Sequence, residues 1–189
     1  EKLQSTFTYI ADDADLSVIE GVMGLYDGGA NGISSTADIA KKLKAPVVLV
    51  LDCKSVGYSI AATALGFREY DPDVHIAGVI LNRLGTDRHE AMVREVMEKI
   101  HMPVLGAFHR DDALQTPERH LGLTPVTEIE TQALIEHMGE AAGKWVDTEV
   151  VLDVARQAPL LEVEKSETKL KVKKVRIGVA RDEAFSFYY

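Results

Sequence analysis

The stretch Pro46-Val-Val-Leu-Val-Leu-Asp52 is an apolar run with no polar interruption before its terminal carboxylate. A half-exposed antiparallel strand alternates apolar and polar residues, whereas a parallel strand buried on both faces consists of a continuous apolar run. Further runs of this kind follow along the chain, and helical patterns lie between them. The sequence therefore predicts an α/β fold in which helices flank a mostly parallel sheet.

Strands and helices alternate along the predicted fold. Ser34, Ser35 and Thr36 are suited to cap the first helix, because short polar side chains accept hydrogen bonds from the free N–H groups at a helix start. Thr86 and Asp87 precede the third helix in the same way. The predicted strands lie at about 15–20, 46–52, 74–81 and 103–107, and the helices at about 35–44, 56–68, 87–101 and 128–156.

A second informative stretch is Asp15-Leu-Ser-Val-Ile-Glu-Gly-Val-Met-Gly-Leu-Tyr-Asp-Gly28, which runs from a predicted strand into glycines. Glu20 is expected at the carboxyl end of that strand, where open α/β sheets bind their ligands. The glycines hold Tyr26 and Asp27 on a short loop beside it. Two carboxylates at one strand end indicate a metal or phosphoryl site. The alternative is that Glu20 caps a turn and Asp27 is a solvated loop residue.

Polar side chains also follow the other predicted strands. Because the carboxyl ends of parallel strands meet at one edge of a sheet, these residues are expected at the same edge as Glu20. Their charged and amide groups suit phosphates or substrate carboxylates, and ordinary solvated loop or turn residues are the alternative. They are Lys54 and Ser59 after the strand at 46–52, Asn82 and Arg83 after the next, and His109 and Arg110 after the strand at 103–107.

The composition restricts the functional class. The 189 residues are 46% hydrophobic and carry a formal net charge of −9, with a pI of about 5.1. This acidic balance argues against a binder of nucleic acid or of anionic membranes. Cys53 is the only cysteine, which excludes an intrachain disulfide and fits a reducing cytoplasm. No apolar run is long enough to span a bilayer, so a soluble cytoplasmic protein is expected.

Four motifs follow one another along the chain: Ile19-Glu-Gly-Val-Met-Gly-Leu-Tyr-Asp-Gly28, Ser35-Thr-Ala-Asp-Ile-Ala-Lys41, Gly78-Val-Ile-Leu-Asn-Arg83 and Pro117-Glu-Arg-His-Leu-Gly-Leu123. Together they closely resemble the cobyrinic acid a,c-diamide synthase family. The synthetase half of that family is similar to dethiobiotin synthetase, a P-loop NTPase fold. The terminal residues 175–189 look like the opening of the family's glutamine amidotransferase domain.

The resemblance implies a reaction. ATP would drive amidation of the a and c side-chain carboxylates of cobyrinic acid, or of a related tetrapyrrole, with glutamine as nitrogen donor. ATP and Mg²⁺ are the implied cofactors. An unactivated carboxylate is a poor acyl donor, so its phosphorylation to an acyl phosphate would supply the leaving group that ammonia displaces.

The resemblance also implies roles for the residues at the ligand edge. Glu20 matches an acidic residue near the magnesium ion and the nucleotide phosphates, and Asp27 matches its partner in the substrate and phosphate region, so both are implied to be catalytic. Asn82 would hydrogen-bond the adenine edge, since an amide offers both a donor and an acceptor. His109 departs from the family pattern, in which proline is common. Further candidates are Arg83, His109 and Arg110 for nucleotide or carboxylate, and Tyr26, Lys54 and Ser59 for substrate.

The expected organisation is a synthetase domain at 1–157, a linker at 158–174 and the start of an amidotransferase domain at 175–189. No G-x-x-x-x-G-K-[ST] motif occurs in the sequence, although phosphate binding in this fold depends on one. The chain is therefore expected to be a central fragment without synthetase or glutaminase activity on its own. A homodimer is a further expectation, because an exposed sheet edge favours pairing.

Alternative functions remain open at this point. Hydrogenobyrinic acid and nickel-sirohydrochlorin are alternative substrates, since both are tetrapyrrole polycarboxylates. A dethiobiotin-synthetase-like carboxylase is disfavoured by the motif at 117–123 and by the amidotransferase-like end of the chain. A non-catalytic nucleotide-fold module that serves in assembly is the alternative from another functional class.

Overall fold

The computed structural model of the chain describes residues 2–114, 131–161 and 178–179. The described residues belong to two compact units. The first unit contains 2–110 together with 145–161, and the second contains the remaining described residues. The sheet and the residues predicted to form the site all lie in the first unit.

Three parallel strands form the sheet of this unit. In spatial order they are β1 (Val47–Asp52), β2 (Ile76–Leu84) and β3 (Val104–His109). Asp52 lies opposite Asn82, so the strands end close to one another. These observations confirm the predicted α/β class and the three strands at 46–52, 74–81 and 103–107, whose ends differ from the predicted ends by a few residues.

Helices precede and follow these strands. The hydroxyl oxygen of Ser35 accepts a hydrogen bond from the N–H of Asp38 at 3.1 Å, and that of Thr86 accepts one from His89 at 3.2 Å, which confirms both predicted caps. None of the helices in the described part of the chain is long and apolar enough to cross a membrane. The helices are α1 (Lys2–Ile10), α2 (Thr36–Leu43), α3 (Ile60–Tyr70), α4 (Asp87–Lys99), α5 (Thr131–Trp145) and α6 (Thr148–Arg156).

The core of the first unit lies between the sheet and its helices. Its fully buried side chains include Leu81, Leu84 and Met97. Gly78 on β2 allows a close approach to the chain that enters β3. A Cβ at this position would lie 2.7 Å from the carbonyl oxygen of Pro103, a distance that real Cβ atoms do not adopt. The spacing of β2 and β3 therefore depends on a glycine at residue 78.

The predicted strand at 15–20 is wrong. Residues 16–20 have no regular secondary structure, and Val18 is 86% exposed. Among the described strands, β1 pairs only with β2, so its other edge forms no ladder with this segment. Instead, Ile19 and Met23 line a cavity of about 430 Å³ beside β1. An apolar run becomes a strand only where a partner strand lies within hydrogen-bonding distance, and none of the strands in the described residues pairs with this run.

The predicted single helix at 128–156 is also wrong, because α5 and α6 are separate. Between them, Val146 forms an antiparallel bridge with Gly106 of β3. The N–H of Asp147 donates to the carbonyl of Leu105 at 2.8 Å, and its carboxylate accepts from Val150 at 3.1 Å to cap α6. Pairing with β3 requires extended backbone, so the helix is interrupted at this point. Helix α1 was not predicted from the sequence.

Replacing Gly78 by alanine tests the close approach of β2 and β3. We expect Gly78→Ala to lower the free energy of unfolding by about 1–3 kcal/mol, because the added methyl group overpacks the core. Gly66→Ala is the matched control, since nothing lies within 4 Å of a Cβ there. In the interior of α3 it should instead raise stability by about 0.5–1 kcal/mol. Urea unfolding of both variants measures the difference, and equal stabilities would contradict the packing argument.

Candidate functional site

The carboxyl ends of the three strands form one edge of the sheet. The register places Asp52 opposite Asn82 and Leu84 opposite His109. The N–H of Arg110 donates to the carbonyl of Leu84 at 3.0 Å, which fixes the chain just after β3. The polar residues predicted after these strands therefore do share an edge. Their ligand-binding roles remain predictions.

A bidentate ion pair joins the ends of β1 and β2. The Nε of Arg83 donates to one carboxylate oxygen of Asp52 at 2.8 Å, and its Nη2 donates to the other. The N–H of Lys54 also donates to Asp52, at 3.0 Å. The Arg83 guanidinium, followed by this N–H, lowers the pKa of Asp52 from 3.8 to about 2. The sequence showed both residues at strand ends, but it did not reveal their pairing.

One of the two polar atoms of the Asn82 side chain forms a hydrogen bond. Its carbonyl oxygen accepts a hydrogen bond from the N–H of Arg83 at 2.9 Å. Arg83 adopts a left-handed backbone conformation, with φ of 60°, and this geometry turns its N–H towards the amide. The Asn82 side-chain nitrogen has no partner in the described part of the chain, so it remains available as a donor.

An open cavity of about 790 Å³ lies at this edge. It is bounded by the loop after β1, by the turn between β2 and α4, by the first turns of α4 and by the residue after β3. We call it the arginine cavity after its three cationic side chains, which are Arg83, Arg88 and Arg110. Arg88 was not singled out from the sequence, although it lies in the turn that Thr86 begins.

His89 connects two walls of the arginine cavity. Its Nε2 lies 2.6 Å from the carbonyl oxygen of Val56, and its Nδ1 accepts a hydrogen bond from the N–H of Gly85 at 3.2 Å. Nδ1 is thus the acceptor in one contact, and Nε2 is placed to donate in the other. The ring thereby ties the loop after β1 to the turn after β2. Nothing in the spacing of this histidine along the sequence indicates the connection.

His109 is held by packing next to the site. Its Nε2 lies 2.7 Å from a carboxylate oxygen of Glu90, and its ring stacks on Trp145 at 5.0 Å. Burial opposes ionisation of Glu90, but the hydrogen bonds from His109 and Arg94 outweigh it and lower the pKa of this carboxyl. His109 is not among the residues that line the arginine cavity. Its position fixes the start of the segment that carries Arg110.

The glycine loop after Glu20 lies over the start of α2. A Cβ at Gly28 would lie 2.8 Å from the backbone nitrogen of Ser35, and one at Gly21 would lie 2.7 Å from the hydroxyl of Thr36. The loop is thus held close to the helix N-terminus. Glu20 and Asp27 are exposed, and within the described residues neither carboxylate has a hydrogen-bonding or ion-pairing partner. Glu20 does not follow a strand. The prediction that it lies at the carboxyl end of a strand is therefore wrong.

Tyr26 anchors this loop to α3. Its hydroxyl donates to the carbonyl of Phe67 at 2.5 Å, and its ring packs against Phe67 and Tyr70. Burial, followed by the nearby Asp71 carboxylate, raises the pKa of Tyr26. These contacts give the side chain a structural role, and the predicted substrate contact remains untested. Lys54 and Ser59 are exposed, and the hydroxyl of Ser59 does not cap α3.

A bound magnesium ion is compatible with the exposed acids. Within the described residues, no group of three or more His, Cys, Asp or Glu side chains is arranged to hold a metal ion. Mg²⁺ in nucleotide sites usually takes one or two carboxylates and completes its shell with water and phosphate oxygens. Glu20 and Asp27 offer unpaired carboxylates of this kind, so the residues present fit such an ion but not a site built from protein alone.

Comparisons with known proteins identify relatives. A family model described as an AAA domain matches residues 2–118. A hydrogenobyrinate a,c-diamide synthase of Brucella anthropi is 44% identical over 93% of this chain and 41% of its own length. A cobyrinate a,c-diamide synthase of Caldanaerobacter subterraneus is 43% identical over 100% of this chain and 42% of its own length. Another, from Gloeobacter violaceus, is 40% identical over 99% of this chain and 42% of its own length. The chain thus spans about two fifths of these relatives. No solved structure gives a significant match.

Breaking the ion pair between β1 and β2 should change the titration of Asp52. We expect Arg83→Gln to raise the pKa of Asp52 from about 2 towards 3.8, because the largest stabiliser of its charged form is lost. In the unchanged chain, the stability contributed by this pair is present above pH 3.8 and is lost as the pH falls through 2. Carboxyl-carbon NMR titration measures the pKa of Asp52, and urea unfolding at a series of pH values measures the stability.

Arg156→Gln on α6 is the control for this titration, because Arg156 pairs with Asp153 within its own helix. It should leave the titration of Asp52 unchanged. The same Asp52 midpoint in the Arg83 variant and in the unchanged chain would contradict the bidentate pair.

Proposed function

This chain belongs to the AAA domain family, and on that premise we propose that it forms part of an ATP- and glutamine-dependent enzyme that amidates carboxylates of a cobyrinic-acid-type tetrapyrrole. The observation that supports this proposal is the 40–44% identity of a,c-diamide synthases over nearly the whole chain. Cobyrinate and hydrogenobyrinate enzymes match almost equally, at 43% and 44% identity, so the proposal covers both substrates. The proposal includes the predicted domain organisation, in which a synthetase domain ends at 157 and an amidotransferase domain begins after a linker that ends at 174.

The proposed reaction has two chemical steps for each carboxylate. A carboxylate oxygen attacks the γ-phosphorus of ATP, which forms an acyl phosphate and releases ADP. Ammonia released by hydrolysis of glutamine to glutamate then attacks the acyl carbon. The carbon–oxygen bond breaks, phosphate leaves with the electron pair, and loss of a proton from nitrogen gives the amide. ATP and glutamine are cytoplasmic metabolites, so the cytoplasm is the proposed location.

Glu20 and Asp27 are the proposed acidic residues of the phosphoryl-transfer site. Their carboxylates are exposed on a loop that the start of α2 holds in place, and they are not committed to partners within the described residues. When bound, Mg²⁺ would reduce the negative charge of the nucleotide phosphates. Glu20 would hold the ion directly or through water, and Asp27 would orient the phosphate and the substrate beside it.

The other site residues divide between nucleotide and substrate. The free side-chain nitrogen of Asn82 is suited to donate to adenine, and Arg83 provides positive charge at the same edge. Arg110 is proposed to contact either the nucleotide or a substrate carboxylate. His109 contributes by fixing the chain before Arg110, because its own ring is engaged with Glu90. The substrate contacts proposed for this chain are Tyr26, Lys54 and Ser59.

A chimeric enzyme tests this proposal. The matched segment of the Brucella anthropi relative is replaced by this chain, and formation of a,c-diamide from hydrogenobyrinate is measured with ATP, Mg²⁺ and glutamine. We expect turnover, and we expect Glu20→Gln to lower kcat by about 100-fold, because a charge-stabilising group at phosphoryl transfer is lost. Asp12→Asn, a neutralised acid on the exposed segment before the loop, is the matched control and should retain full kcat.

Two results would overturn the proposal. One is a chimera that unfolds at the same temperature as the relative but forms no diamide. The other is equal kcat for the Glu20 and Asp12 variants, which would remove Glu20 from the catalytic site.

A further inference from the structure

The arginine cavity is positively charged although the chain as a whole is acidic. The formal net charge is −9, yet Arg83, Arg88 and Arg110 line this one cavity. The carboxylate of Glu95 also lines it, but this side chain accepts a hydrogen bond from Lys99 at 2.6 Å. Local positive charge of this kind attracts an anionic ligand.

Two of the three guanidinium groups form no hydrogen bond or ion pair within the described residues. Arg83 is bound to Asp52 through both carboxylate oxygens. Neither the Arg88 guanidinium nor the Arg110 guanidinium has a hydrogen-bonding or ion-pairing partner in the parts of the chain that the structure describes. Arg88 projects from the first turn of α4, and Arg110 follows β3 with its backbone held to Leu84. The two guanidinium groups are thus carried on different elements of the cavity wall.

The turn between β2 and α4 does not offer a phosphate cradle. Phosphates in this kind of fold bind free N–H groups at the start of a helix. Here the N–H of Gly85 already donates to His89, and the N–H of His89 donates to Thr86. The first turn of α4 also contains the acids Asp87 and Glu90, which disfavour a phosphate dianion. The charged donors of the cavity are guanidinium groups carried on different elements, and such groups suit separate carboxylates.

Apolar side chains complete the cavity. Val56, Tyr58 and Met92 line it, and Tyr58 is 56% exposed. A ligand with a flat apolar body and several peripheral carboxylates matches this combination of aromatic, aliphatic and guanidinium groups. On the basis of the proposed function, we infer that the arginine cavity binds peripheral carboxylates of the tetrapyrrole substrate through Arg88 and Arg110, and that the nucleotide phosphates bind elsewhere.

Binding of cobyrinic acid to the chain tests this inference. Equilibrium dialysis, followed by the visible absorption of the corrin, gives Kd for the unchanged chain and for Arg88→Gln and Arg110→Gln. We expect each substitution to weaken binding by about tenfold, because one charge-assisted hydrogen bond is lost. Arg156→Gln removes the same charge from α6, outside the cavity, and should leave Kd unchanged.

The heptamethyl ester of cobyrinic acid provides a ligand control. It retains the corrin body but lacks carboxylates, so its binding should be the same in all four proteins. The inference is overturned if the unchanged chain does not bind cobyrinic acid. It is also overturned if the Arg156 variant weakens binding as much as the cavity variants do. A third contrary result is that Arg88→Gln weakens binding of the ester as much as it weakens binding of cobyrinic acid. These outcomes leave the turnover of the chimera unaffected, so failure of this inference is distinguishable from failure of the proposed function.

Discussion

Parallel pairing of β1, β2 and β3 is the constraint on which the rest of the site depends. Because the three strands run in the same direction, the segments that follow them emerge at one edge. The pair between Asp52 and Arg83 then links the first two strand ends, and the ring of His89 links the loops beyond them. The arginine cavity is therefore a consequence of strand direction and of two local polar connections.

The strands that the sequence predicted correctly are those whose apolar runs become buried on pairing. The run at 46–52 is continuous and pairs as β1 with β2, whereas the segment at 15–20 contains a serine among its apolar residues and pairs with none of the described strands. The difference is the presence of a neighbouring strand, which a local pattern does not contain. The same applies at Val146, where a bridge to Gly106 interrupts an otherwise helical pattern.

The candidate site was predictable in its location but not in its contacts. Strand ends in a parallel sheet meet at one edge, so Asn82, Arg83 and Arg110 were placed correctly from the sequence. Which side chains pair there depends on the directions of long, flexible groups. The engagement of His109 with Glu90 and the freedom of Arg88 therefore became visible only in three dimensions.

Ligands are proposed to bind at the carboxyl edge of this sheet. Backbone amide NMR shifts of the chain, recorded while cobyrinic acid is added, test this proposal most directly. We expect the largest changes in residues 54–58, 83–89 and 110, and no changes at the opposite strand ends, at 47, 76 and 104. Changes confined to those opposite ends, or an absence of changes at saturating ligand, would contradict it.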